Sequence, residues 1–249
     1  MSLSSVPFQS HTTCEAFTGV TVDGPSDRKG DVVGQITELP QVVPADPGKP
    51  VRPEAAASQR TSRELAEHPS TWSHEQADEV VRRYTELAPV WDGDRGGYRS
   101  VPLTDALQRG GPWPAGLCLE VGCGTGLLSA LIQEVWPKVV SLDLTWAMLS
   151  RSPAPWRVLG DASQLPAGDA SAQAVVLADV PLFADEVVRT LTPDGVVVWS
   201  NALGEDAPHH VPIETVLGAL EKDSGADWSA VMSHAGWGLW AVLRRGEAA

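Results

Sequence analysis

Glu120-Val121-Gly122-Cys123-Gly124-Thr125-Gly126 sets an acid two residues before three glycines that recur at every second position. The apolar run Leu117-Cys118-Leu119 in front of it reads as a buried strand, and Leu127 to Val135 behind it reads as a helix. Glycine lets the chain turn tightly and approach a ligand where a Cβ would collide. The following helix points its free N–H groups at the same place. Such a strand, turn and helix binds a nucleotide-like cofactor. The dinucleotide fingerprint G-x-G-x-x-G carries its third glycine one residue later than Gly126, at a position held here by Leu127. A carboxylate such as Glu120 would repel a pyrophosphate but suits a cofactor with a cationic end.

Three more acids close apolar runs downstream. Val139-Val140-Ser141-Leu142-Asp143 ends about twenty residues past the glycines, where a doubly wound fold places the carboxylate that grips ribose hydroxyls. Val158-Leu159-Gly160-Asp161 ends in an acid that could equally serve an Asx turn or a helix cap. Ala174 to Asp179 is a buried strand with its acid at the carboxyl edge, where open α/β sheets hold their ligands. Asp179 and Val180 are therefore expected at a boundary between cofactor and substrate. A turn at Pro193-Asp194-Gly195 then leads into the strand Val196 to Ser200.

From Leu117 to Ser200 these segments resemble the class I S-adenosylmethionine (SAM)-dependent methyltransferases, and acid-x-G-x-G-x-G matches their motif I at every defining position. SAM carries an ammonium and a sulfonium and no phosphate, which suits Glu120. The resemblance implies cofactor contacts from Glu120, Gly122, Cys123, Gly124 and Gly126, with Asp143 on the ribose. It places Leu144 and Met148 beside the adenine, Asp161 and the Ala162 backbone at the adenine amino group, and Asp179 facing the cofactor. Helix packing is the alternative for Met148. Pro89-Val90-Trp91-Asp92 resembles the A-x-x-Y-D segment ahead of many such cores, in which an aromatic ring can lie over the cofactor. Trp91 stands where Tyr is usual, and core packing is the alternative for both Tyr84 and Trp91.

The loop Asn201 to His210 should hang over the transferable methyl. His209 or His210 could there accept a proton from a hydroxyl or phenol near neutral pH, or be solvated loop residues. Adjacent rings rarely converge on one ion and no third ligand is suitably spaced, so no metal is expected. The acceptor is narrowed by exclusion. Methylation of base or glutamine nitrogens usually employs Asn/Asp-Pro-Pro-aromatic, whereas this chain reads Asp179-Val180-Pro181-Leu182, and it has no Pro-Cys nucleophile for cytosine C5. The formal charge of −14 and the lack of a Lys/Arg cluster argue against nucleic acid. A small-molecule methyl acceptor, methylated on O, N or C, is the resulting expectation. A non-catalytic SAM-binding protein of this fold and an NAD-dependent oxidoreductase are the alternatives, the latter disfavoured by Glu120 and Leu127.

The elements that must position these groups are expected in three zones of the 249 residues: 1–65 disordered, 66–112 a helical cap, and 113–249 the SAM-binding domain. The first zone is rich in Ser, Thr, Pro, Asp and Gly and has too little apolar content to offset its ordering entropy. Only short pieces such as Val32-Val33 and Val42-Val43 could dock. Ser73-His74-Glu75-Gln76 fits a capping box, and Ala77, Val80, Val81, Tyr84, Leu87 and Ala88 continue it as one apolar stripe stopped by Pro89. Pro212 to Leu220 reads as a helix with proline in its first turn. Two runs, 228–233 and 237–243, close the chain as a hairpin. The resemblance completes this as a Rossmann-like α/β fold. It implies a seven-stranded, doubly wound sheet, mostly parallel with a C-terminal antiparallel hairpin, and helices on both faces. No run approaches a membrane span, the first residues lack the regions of a secretory signal, and Cys14, Cys118 and Cys123 form no metal spacing. A cytoplasmic protein with reduced packing cysteines is expected.

Overall fold

A computed structural model describes residues 35–50, 55–93 and 96–246. Cys14, Val32 and Val33 lie outside the described residues. The sheet has eight strands: β1 (Gln35–Glu38), β2 (Leu117–Val121), β3 (Lys138–Asp143), β4 (Arg157–Leu159), β5 (Ala172–Ala178), β6 (Leu191–Asn201), β7 (Trp228–Ala235) and β8 (Gly238–Arg245). Their order across the sheet is β1-β7-β8-β6-β5-β2-β3-β4. β8 alone runs antiparallel, between β6 and β7. The hairpin turns through Gly236 and Trp237, with Gly236 at φ +58°. The Pro193-Asp194-Gly195 turn lies within β6, where the register with β5 shifts.

Among the described residues seven α-helices accompany the sheet: α1 (Ala55–Glu67), α2 (His74–Leu87), α3 (Gly96–Arg109), α4 (Ser129–Val135), α5 (Trp146–Leu149), α6 (Ala184–Thr190) and α7 (Ile213–Ser224). Along the central strands alternate residues divide between two cores. Cys118, Ala174, Val176, Val196 and Val198 pack beneath Leu103 and Ala106 of α3 and Ile132 of α4. Leu119, Val121, Val175, Leu177, Val197 and Trp199 pack against Val187 of α6 and Val216, Leu217 and Leu220 of α7. A parallel sheet buried on both faces needs such continuous apolar strands.

Two expectations are corrected. The sheet has eight strands, not seven, and the segment expected to be disordered to residue 65 contains both β1 and most of α1. β1 gains what it lacks in apolar content from a ladder: Gln35–Glu38 pair in parallel with Ser229–Met232, and Val43 bridges Ala235 further on. Polar ties hold the rest of the strap. Arg109 donates to the Pro40 carbonyl at 2.9 Å, and Trp237 Nε1 donates to the Asp46 carbonyl. Hydrogen bonds to distant parts of the chain leave no trace in local apolar periodicity, which is why composition missed them.

Arg109 is itself held by the buried Asp105, which accepts from Arg109 at 2.8 Å and from the fully buried Trp240 Nε1 at 2.7 Å. Asp105→Ala strands an indole N–H and a guanidinium together. The expected loss is about 3 kcal/mol, read as a lowered urea midpoint. A midpoint unchanged from wild type would contradict this account of the strap.

Candidate functional site

The three glycines of the turn adopt φ of +68° (Gly122), +57° (Gly124) and +80° (Gly126), left-handed values that L side chains rarely take. At Gly122 and Gly126 space is also short, since a Cβ would run into Val180 Cγ1 and Ser152 Oγ respectively. Asp143, at the carboxyl end of β3, accepts from Gly124 N at 2.8 Å and from Thr145 N at 2.7 Å. Its burial raises the carboxyl above its ordinary value, although both backbone donors oppose this.

The turn opens on a cavity of about 630 Å³, within the range of ~300–1,000 Å³ usual for small-ligand sites. Its floor holds Gly122, Asp143, Leu144, Asp161, Ala162 and Asp179. Asp161 caps a short 3₁₀ turn by accepting from Ser163 N at 2.8 Å, and it also accepts from Trp72 Nε1 at 2.9 Å. Asp179 sits at φ +55°, a strained setting for a residue other than glycine, and its Oδ1 accepts from Ala202 N at 3.1 Å. Burial raises its carboxyl, and the charge of Arg99 opposes the rise.

The other expected residues fall elsewhere. Glu120 is buried off the main cavity, accepting at 2.6 Å from both Ser129 Oγ and Ser141 Oγ. It lines, with Cys123, a separate recess of about 40 Å³ behind the turn. Burial raises both the Glu120 carboxyl and the Cys123 thiol. Gly124 and Gly126 shape the turn without lining the large cavity. Met148 is 1% exposed and packs inside the fold. His210 turns to Asn201 Oδ1 at 3.3 Å, away from the cavity wall, whereas His209 lines it.

The cap supplies what the glycine motif does not. The capping box at Ser73 is formed, with Ser73 Oγ accepting from Gln76 N and Gln76 Oε1 accepting from Ser73 N. Yet no residue of α2 is fully buried, and Val80, Tyr84 and Leu87 of its apolar stripe face the cavity. Core packing is thus corrected for Tyr84 and Trp91: both line the cavity and meet edge to face at 5.4 Å. Gln59 of α1 donates to the carbonyls of Glu205 and Ala207, tying that helix to the loop that carries His209. Ser62 Oγ lies 3.0 Å from His209 Nδ1, and the Tyr84 hydroxyl lies 3.4 Å from Nε2. Arg99 was not singled out from sequence. Its guanidinium lies 4.5 Å from the Trp91 ring centroid, it lines both recesses, and its Nε is buried with no hydrogen-bond partner among the described residues. Among the described residues no group of three His, Cys, Asp or Glu could hold a metal. No described helix is long and apolar enough to cross a membrane.

Fold and site together define a class: an open α/β sheet with a glycine turn and strand-end acids around one cavity. Residues 119–199 match the family described as methyltransferase domain. A curated Serratia marcescens relative, malonyl-[acyl-carrier protein] O-methyltransferase, is 34% identical over 105 residues, covering 38% of this chain and 41% of the relative. The chain thus matches less than half the length of that relative. The solved DhpI-SAH complex is similar at a TM-score of 0.53 and 21% identity, over 71% of this chain and 100% of that one. The DhpI-SAM-HEP complex gives 0.53 and 20%, over 70% and 99%. Residues 119–199 are thus similar to a methyltransferase domain, and the likeness to the two solved complexes is one of fold.

His209 carries a measurable signature. Burial, and then the charges of Arg83 and Arg99, lower its imidazole from 6.5 to about 4, so it is neutral at neutral pH. Between those values the unfolded chain binds a proton that the folded chain refuses. This histidine therefore removes stability as pH falls from 6.5 towards 4, by up to about 3 kcal/mol. The raised carboxyls of Glu120, Asp143 and Asp179 act with the opposite sign, and a comparison with His209→Gln cancels them. The variant should lose less unfolding free energy than wild type between pH 7 and pH 4. Parallel curves would contradict this placement of His209.

Proposed function

We propose that this protein transfers a methyl group from SAM to a small-molecule acceptor bound in the 630 Å³ cavity. The observation that carries the reading is the glycine turn meeting three strand-end carboxylates, Asp143, Asp161 and Asp179, along one wall. Each ionised carboxylate has about four lone-pair sites. Asp143 accepts from the backbone N–H groups of Gly124 and Thr145 and from the Thr145 side chain, which leaves acceptor capacity for a ribose hydroxyl. Asp161 is likewise left with acceptor capacity for an adenine amino group, with Leu144 and Ala162 lining the cavity alongside. Arg99, beside the turn and with its buried Nε unpartnered among the described residues, suits the cofactor's α-carboxylate. The small recess beyond Gly122 and Cys123 brings Glu120 behind the same end, where its charge favours the ammonium.

Bound there, SAM supplies a methyl made electrophilic by its sulfonium. The chain supplies placement, which can contribute roughly 7–11 kcal/mol when reacting atoms are held in line. Asp179, at the tip of β5, orients the boundary between cofactor and acceptor. His209 is neutral, with Ser62 on Nδ1 and Tyr84 on Nε2, so an acceptor hydroxyl's proton passes to the Tyr84 oxygen as the Tyr84 proton moves to Nε2. An oxygen acceptor is the version that the Serratia marcescens relative's name supports.

Calorimetry with S-adenosylhomocysteine (SAH) and 5′-methylthioadenosine, which lacks the amino-acid end, tests the assignment. Asp143→Ala should weaken both at least tenfold. Arg99→Gln should weaken SAH by a similar factor and leave methylthioadenosine unchanged. Equal losses for both ligands in Arg99→Gln would remove Arg99 from the carboxylate role.

A further inference from the structure

One cation of the cavity wall is not used by the cofactor reading. Arg83, on α2 beside Tyr84, lines the cavity and makes no ion pair or hydrogen bond with any described residue. Its neighbour Arg82 pairs with Glu79 instead, which leaves that carboxylate occupied. Glu75 and Glu79 are the acids that α2 itself contributes to this wall. Across from them stand Ser58, Thr61 and Leu65 of α1 and Pro208 and His209 of the loop after β6. Arg83 bears on both Tyr84 and His209: its positive charge favours ionisation of the phenol and disfavours protonation of the imidazole. The adenine end, marked by Asp161 and Trp72, and the turn, marked by Gly122 and Arg99, are separate parts of the wall.

We propose that Arg83 is a specificity determinant that anchors a carboxylate, or a comparable oxyanion, on the methyl acceptor beside Tyr84 and His209. The proposal rests on the methyl-transfer reading of the cavity and deepens it by naming the acceptor's chemical class. A guanidinium presents a planar fork that fits a carboxylate or phosphate with two parallel hydrogen bonds. A ligand anion there offsets the positive charge that presses on His209. It thereby returns the imidazole towards the basicity a proton acceptor needs. An uncharged acceptor would leave His209 a weak base facing an unpaired cation. Charge recognition and proton acceptance are thus coupled through one residue.

The test is calorimetric titration of benzoate, malonate and inorganic phosphate, with benzamide and malonamide as uncharged counterparts, into protein with and without saturating SAH. The expected result is saturable binding of at least one anion, none of the amides, and at least tenfold weaker binding in Arg83→Gln. Arg151→Gln, which removes an exposed charge off the cavity wall, should bind as wild type does, and circular dichroism checks that both variants fold. The carboxylate and phosphate arms identify which oxyanion is preferred. In wild type the bound anion should also raise the His209 midpoint, followed by imidazole NMR. No saturable anion binding, or equal binding in Arg83→Gln and wild type, overturns the proposal. Anion binding that depends on Arg83 while SAH gives no heat would support the anion site and overturn the cofactor reading.

Discussion

The hydrogen bonds that Asp143 accepts from Gly124 and Thr145 fix the geometry on which the site depends. They tie the tip of β3 to the middle of a turn whose glycines hold left-handed backbone. Without an acceptor at that point the half-buried Gly124 N–H would lose its partner. Behind the turn Glu120 makes the matching tie, joining Ser129 of α4 to Ser141 of β3. Two acids thus brace β2, the turn, α4 and β3 as one unit. The cavity floor, which includes Asp143, inherits its shape from that unit.

Charge is distributed unevenly around the cavity. Acids alone are the charged groups of the floor contributed by the sheet, at the ends of β3 and β5 and after β4, whereas the cap brings both signs, Arg83 and Arg99 with Glu75 and Glu79. Cations and carboxylates on one wall suit a zwitterionic cofactor whose cationic and anionic groups lie close together. Helix α1 is held to the loop after β6 through Gln59 and Ser62, and the Lys49–Asp206 ion pair at 2.7 Å joins the strap to the same loop. That pair is largely exposed on the Asp206 side and contributes little stability. Burial of Leu65 and Ala66 of α1 carries more.

The part of the site legible in sequence was the part encoded by short-range pattern. The glycine turn, the strand-end acids and the capping box each declare themselves within a few residues, because each follows from local backbone geometry. Three things were not legible. β1 joins the sheet through backbone pairing with β7 nearly two hundred residues away, and such pairing asks little of side-chain periodicity. The apolar stripe of α2 was readable as a stripe, but whether it faces a core or a cavity is decided by what lies opposite. Arg99 and Arg83 sit in ordinary helical sequence, and only folding brings them to the same wall as Asp179 and His209. The His209-His210 pair shows the limit in miniature: adjacent side chains diverge, one to the cavity and one to Asn201.

The central claim is that the cavity is built for an adenosyl cofactor with a cationic end rather than for a dinucleotide. Titrating SAM and NAD separately into the wild-type chain in a calorimeter tests it most directly. Saturable SAM binding in the micromolar range, with no heat from NAD, is the predicted result. Preference for NAD, or silence with SAM, would contradict the account and leave the glycine turn as a scaffold or a dinucleotide site.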